Sequence, residues 1–112
     1  MRFAIPVIDG KLTMHFGHSQ FFMVIETDDD GLIIKEEQLT PPAHQPGVLP
    51  DWLAKEQNID VVLVAGIGGG AIDIFNKLGV QVITGCDEKS AQELVADYYA
   101  KNLESGGNAC NH

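Results

Sequence analysis

Val61-Val62-Leu63-Val64-Ala65-Gly66-Ile67-Gly68-Gly69-Gly70-Ala71-Ile72 is the stretch from which the fold can be read. Residues 61–65 form an unbroken apolar run, mostly β-branched. That is the composition of a strand buried on both faces, and so of a parallel sheet covered by helices. Glycines at 66, 68, 69 and 70 then carry the chain off that strand into a helix predicted to start near Ala71. No glycine side chain can cap that helix, so its first amides and the loop amides point outward. Peptide dipoles and free N–H groups converging on one spot attract an anion. The alternative is a tight turn whose amides bind water. Other candidate residues matter to the extent that they reach the same edge of the sheet.

The 112 residues make one domain, expected over 1–103, with residues 104–112 as a flexible tail. A chain of this length buries about two-thirds of its unfolded surface, so it needs no disulfide or metal merely to fold. Sixteen acidic against seven basic residues give a net charge of −9, which repels phosphate backbones and anionic membranes. Nucleic acid and membrane are therefore not expected partners. No apolar run approaches the ~20 residues of a membrane span. Pro6 and Asp9 interrupt the start where a signal peptide needs a longer apolar core. The expected location is cytoplasmic, where Cys86 and Cys110 are reduced thiols.

Taken in order, residues 2–8 read as a strand in which Pro6 marks a bulge. Residues 9–20 lapse into a loop holding Met14-His15-Phe16-Gly17-His18-Ser19. Residues 21–27 and 32–38 are two antiparallel strands joined through Asp28-Asp29-Asp30-Gly31, because Asp-Gly between apolar runs signals a hairpin. The prolines at 41, 42 and 46 make residues 39–47 a connection, which carries His44. Pro50 suits the first turn of a helix ending near Asn58. Beyond the glycines, a helix over 71–78 turns Ile72, Phe75 and Leu78 inward and stops at Gly79. Residues 80–84 form a strand parallel to the central one. Ser90 and Glu93 then form a capping box for a last helix with Ala91, Leu94, Val95, Tyr98 and Leu103 on one side. The order is β-β-β-α-β-α-β-α, a meander feeding two right-handed crossovers.

In such an open sheet the crevice lies beyond the carboxyl ends of the parallel strands. The loop after Ile8, the glycine loop and the turn at Cys86 would share that rim. His15 and His18, on either side of Phe16-Gly17, can ligate a transition metal, donate hydrogen bonds to sulfides, or simply stay solvated. Cys110-Asn111-His112 sets a thiolate and an imidazole two residues apart, able to clip a soft metal or to fray. Cys86 at a strand end is either a small core residue or a ligand contact, and His44 sits at an undetermined distance. Residues 28–30 read as a solvated hairpin tip without chemistry.

His15-Phe16-Gly17, the run from Phe22 to Glu26 read F-x-V-I-E, the run from Asp60 to Ala71 read D-V-V-L-V-A-G-I-G-G-G-A, and Leu78-Gly79-Val80 resemble the dinitrogenase iron-molybdenum cofactor biosynthesis family. The similarity spans residues 2 to about 103. It implies an α/β fold: a three-layer α/β/α sandwich, ribonuclease H-like, with a five-stranded mixed sheet. It also implies a carrier or scaffold, not an enzyme. The cargo would be an iron-sulfur or iron-molybdenum type cluster, held during assembly or transfer between donor and acceptor proteins. The family signature lands on His15, Phe16, Gly17, Gly66, Gly68, Gly69 and Gly70, and His18 stands at a position that varies in the family. Cys110 and His112 resemble the C-terminal cysteine and histidine of some members. The metal ligands implied are therefore His15, His18, Cys110 and His112.

Three other readings compete. Gly66-Ile67-Gly68-Gly69-Gly70-Ala71, with Asp87 farther on, matches a dinucleotide fingerprint, but only one strand follows and the motif is not in the first β-α unit. A ribonuclease H-type nuclease needs several carboxylates converging on two metal ions. Asp9 stands at a strand end, but glycine occupies the end of the central strand. A regulatory or protein-interaction domain of the same fold that binds no metal is the third.

Overall fold

The computed structural model describes residues 1–13, 16, 20–42 and 48–100. His15, Gly17, His18, His44, Leu103, Cys110, His112 and the expected tail over 104–112 lie outside the described residues.

The first strand, β1 (Arg2–Ile8), is buried from Phe3 to Val7, as its near-continuous apolar composition requires of a central strand. It pairs antiparallel with β3 (Phe21–Thr27), which pairs antiparallel with β4 (Ile33–Leu39). On its other side β1 pairs parallel with β5 (Val61–Leu63), and β5 pairs parallel with β6 (Gln81–Ile83). The path across the sheet is β4-β3-β1-β5-β6, with a two-residue strand β2 (Lys11–Leu12) attached to β1. The described residues thus form a mixed sheet of six strands, against five expected, with three α-helices: α1 (Val48–Asp51), α2 (Gly69–Lys77) and α3 (Ala91–Tyr99).

Alternation along the strands sorts the core onto two faces. Phe3, Ile5, Val7, Ile25, Val61 and Leu63 pack with Ala91, Leu94 and Val95 of α3. Ala4, Phe22, Val24, Val62 and Val64 pack with Leu49, Leu53 and Phe75 on the face of α1 and α2. Arg2 ties the edges of this arrangement: its Nε–H donates to Gln57 O at 2.8 Å, and its guanidinium meets Glu26 at 2.9 Å.

Several expectations need correcting. Pro6 makes no bulge, since the β1–β3 register runs unbroken from Arg2↔Glu26 to Val7↔Phe21. Its missing N–H lies on the opposite side of β1, where the partner changes from β5 (at Phe3 and Ala4) to β2 (at Val7 and Ile8), and a lost donor there interrupts no ladder. The irregularity instead falls at Glu26/Thr27, where β4 carries one extra residue. Residues 9–20 are not loop throughout, because Asp9 (φ +54°) and Gly10 (φ +82°) close a two-residue hairpin between β1 and β2. Laddered pairing in β5 stops at Leu63 even though Val64 and Ala65 stay buried, and β6 keeps only Gln81–Ile83 of the strand expected over 80–84. Helix α1 continues as a π-helical segment, Trp52–Glu56, and ends short of Asn58. Helix α2 starts at Gly69, two residues before Ala71, and Leu78 is 37% exposed instead of facing inward.

Ser90 caps α3, its hydroxyl oxygen accepting from Glu93 N at 3.3 Å, as the Ser-x-x-Glu spacing predicts.

Candidate functional site

The β1–β2 hairpin determines where the chain goes next. Thr13 N–H donates to Pro6 O at 3.0 Å, so the strand doubles back along β1 instead of leaving the sheet. Phe16 N–H then donates to Gly66 O at 3.0 Å, joining Phe16 to the glycine loop beyond β5. The Phe16 ring is buried and meets Phe22 and Phe75 edge-on, with centroids 5.5 and 5.8 Å away. The ring is thus an anchor in the core. The sequence signal for this route was Asp9-Gly10, the same Asp-Gly pair that marks the β3–β4 turn.

The third segment arrives from β6. Gly85 N–H donates to Ala65 O and Cys86 N–H to Val64 O, both at 3.0 Å, so the turn at Cys86 lies against the end of the central strand. The expected rim therefore forms, with Phe16, Gly66 and Cys86 all held at the carboxyl end of β5. Their side chains divide between the faces: Phe16 joins the core under α1 and α2, while Cys86 joins the one under α3. Burial pushes the Cys86 thiol up to about 11, partly offset by a main-chain hydrogen bond at Val64. At neutral pH it is a protonated core thiol and a poor metal ligand. Asp87, the carboxylate of the dinucleotide reading, is exposed.

Gly68, Gly69 and Gly70 are the exposed part of the rim. Gly68 is the N-cap of α2 at φ −71°, ψ 150°, with no side-chain cap, and Gly69 and Gly70 open the helix. None of the three has positive φ, and among the described residues nothing lies within 4 Å of where a Cβ would sit. Neither backbone conformation nor crowding by the described residues calls for glycine there, although glycine costs a helix roughly 0.5–1 kcal/mol relative to alanine. What glycine gives at such a place is bare backbone that a bulky ligand can approach closely. Among the described residues no three His, Cys, Asp or Glu side chains gather to hold a metal ion. Of the expected site residues, the described ones are Phe16, Gly66, Gly68, Gly69 and Gly70.

A sequence model of the dinitrogenase iron-molybdenum cofactor family matches residues 1–101. The chain belongs to that family. PH0822, known from a crystal structure, is 30% identical, with a TM-score of 0.84 and 93% of each chain covered. An uncharacterized protein of Methanocaldococcus jannaschii, MJ0580, is 29% identical over 86 residues, covering 73% of this chain and 72% of its own. The apo form of the orange protein from Desulfovibrio gigas shares the fold at a TM-score of 0.75 and 19% identity, covering 96% of this chain and 93% of the other. Family membership fits the mixed sheet and three helices. Among the described residues no helix is long and apolar enough to cross a membrane.

Proposed function

We propose that this domain is a carrier, not a catalyst, which holds an anionic iron-sulfur or iron-molybdenum type cluster and passes it from a donor to an acceptor protein. The observation that carries the reading is the glycine triplet at the start of α2, bare, exposed and required neither by backbone conformation nor by contacts among the described residues. The Phe16–Gly66 hydrogen bond supports it by bringing Phe16, the described residue of His-Phe-Gly, to the same rim. Main-chain amides at a helix start are suited to such cargo: they attract a diffuse negative charge over short range without the near-permanent grip of several thiolates. His15 and His18 are the imidazole ligands in this proposal, with Cys110 and His112 closing over the cluster. The order β4-β3-β1-β5-β6, with helices on both faces, supports the finer ribonuclease H-like assignment. A dinucleotide site finds less support, since β6 is the last strand of the described chain and leaves no second half-site.

Anaerobic incubation with iron, sulfide and molybdate tests the proposal. The protein is expected to gain sulfide-to-metal charge-transfer bands at a fixed metal stoichiometry, and His15→Ala to lose metal faster than His44→Ala. Protein that stays colourless and metal-free under all reducing loading conditions overturns it and favours the metal-free interaction domain.

A further inference from the structure

We infer that the open edge of β4 is a self-association surface, on which a second copy of this chain pairs antiparallel about a two-fold axis through Glu36. Among the described residues strand β4 ends the sheet, and its residues from Ile33 to Glu36 are exposed. Thr27 N–H donates to Met1 O, so odd-numbered residues of β3 face β1 and even-numbered ones face β4. The register Val24↔Glu37 and Glu26↔Lys35 then directs the main chain of Lys35 and Glu37 toward β3, leaving the N–H and C=O of Glu36 and Gln38 at the open edge.

A two-fold partner satisfies those groups when Glu36 opposes Glu36 of the other copy and Gln38 opposes Ile34. In that register Lys35 opposes Glu37 twice, on the α1/α2 face, and the pairing ends at Ile34, because the extra β4 residue turns Ile33 to the α3 face with Thr27, away from Leu39. The side-chain pattern is thus self-complementary in charge. Shifting the register by two residues sets Lys35 on Lys35 or Glu37 on Glu37, and like charges directly opposite destabilise a strand pair. The exposed Leu32, Ile33 and Ile34, at 64%, 39% and 59%, supply apolar area at both ends of the pairing. Its one unfavourable contact is Glu36 on Glu36. Each of these carboxylates is already held within its own copy by Gln92 Nε2 of α3.

Pairing from Ile34 to Gln38 makes an interface at the small end of the range, so association is expected to be weak and reversible. Because β4 runs parallel to β1, the partner's β1 points the opposite way. The two rims then lie at opposite ends of the continuous sheet and both stay open.

Sedimentation velocity of the full chain, from micromolar concentration to about 1 mM, tests the pairing. A monomer–dimer equilibrium is expected. Gln38→Pro, which removes an outward N–H and no β3 bond, should abolish it while leaving the circular dichroism and melting temperature of the monomer unchanged. Lys35→Glu should weaken it, and Lys35→Glu with Glu37→Lys should restore it. Glu36→Gln should tighten it about two- to five-fold by removing the like charges on the axis. A chain that is monomeric at about 1 mM overturns the inference. So does a dimer indifferent to Gln38→Pro, or one that Glu36→Gln weakens.

Discussion

At the scale of single residues, Gly69 and Gly70 separate a structural role from a ligand-binding one, because the two roles predict opposite signs. Both residues open α2 with helical backbone, and among the described residues nothing lies within 4 Å of the missing Cβ. Replacing either by alanine should therefore stabilise the protein by about 0.5 kcal/mol, since alanine loses less backbone entropy in a helix. If the bare backbone receives the cluster, the same change should release metal several-fold faster in a chelator competition, by setting a methyl group where the cargo approaches. A gain in melting temperature without loss of cluster retention would leave the glycines unused by the site. Cys86 offers an independent check on the rim. Its folded thiol holds its proton to about pH 11, whereas the unfolded thiol releases it near 9.0. The unfolded chain thus binds fewer protons between those values, and stability falls as pH rises through that window, by about 2–3 kcal/mol when complete. Thermal melts from pH 8 to 11 should show a steeper decline for the wild type than for Cys86→Ala. Parallel declines would mean that the thiol is not desolvated.

At the scale of elements, the β1–β2 hairpin is the part that builds the site. Gly10 lies at φ +82° with no described residue within 4 Å of its missing Cβ, so Gly10→Ala carries a conformational cost and no clash with the described residues. It should destabilise the fold by about 1 kcal/mol. It should also speed hydrogen exchange at the Thr13 and Phe16 amides, the two that carry the chain back to Gly66; unchanged exchange there would show that the segment is held by other means. This hairpin also marks the limit of what the sequence revealed. Long apolar runs such as residues 2–8 and 21–27 are strands because burial on both faces leaves no other solution, and capping by Ser90 is local chemistry, so these were legible. Lys11–Leu12 is too short to show periodicity, and its pairing depends on β1, whose proline frees that side for a new partner. The glycine loop was readable as a loop, and its rim partners followed from topology. The division of Phe16 and Cys86 between two cores was not readable, because it depends on which way each turn leaves the sheet. The π-helical segment Trp52–Glu56 likewise left no mark in the apolar spacing.

At the scale of the whole molecule, the carrier proposal makes charge govern how cargo reaches the rim. The chain carries −9, and metal-sulfide clusters and thiomolybdates are anions too, so distant approach is repulsive and only the last few ångströms, where amides converge, are attractive. The screening length is about 30 Å at ~0.01 M salt and about 10 Å at ~0.1 M. The molecule measures 35 × 30 × 29 Å. In dilute salt an arriving anion therefore feels nearly the whole acidic exterior, and in ~0.1 M salt only the charges near the rim. The rate of loading should rise several-fold over that change, while release, governed by contacts within hydrogen-bonding range, should change much less. A basic docking face would do the reverse, because salt would then screen an attraction. Stopped-flow absorbance with tetrathiomolybdate at the two ionic strengths distinguishes the cases. A loading rate that falls with salt would mean that cargo is steered in along a positive path. An acidic exterior of the kind inferred here instead makes encounter with free anions slow, which favours delivery by direct docking of a donor protein over capture from solution.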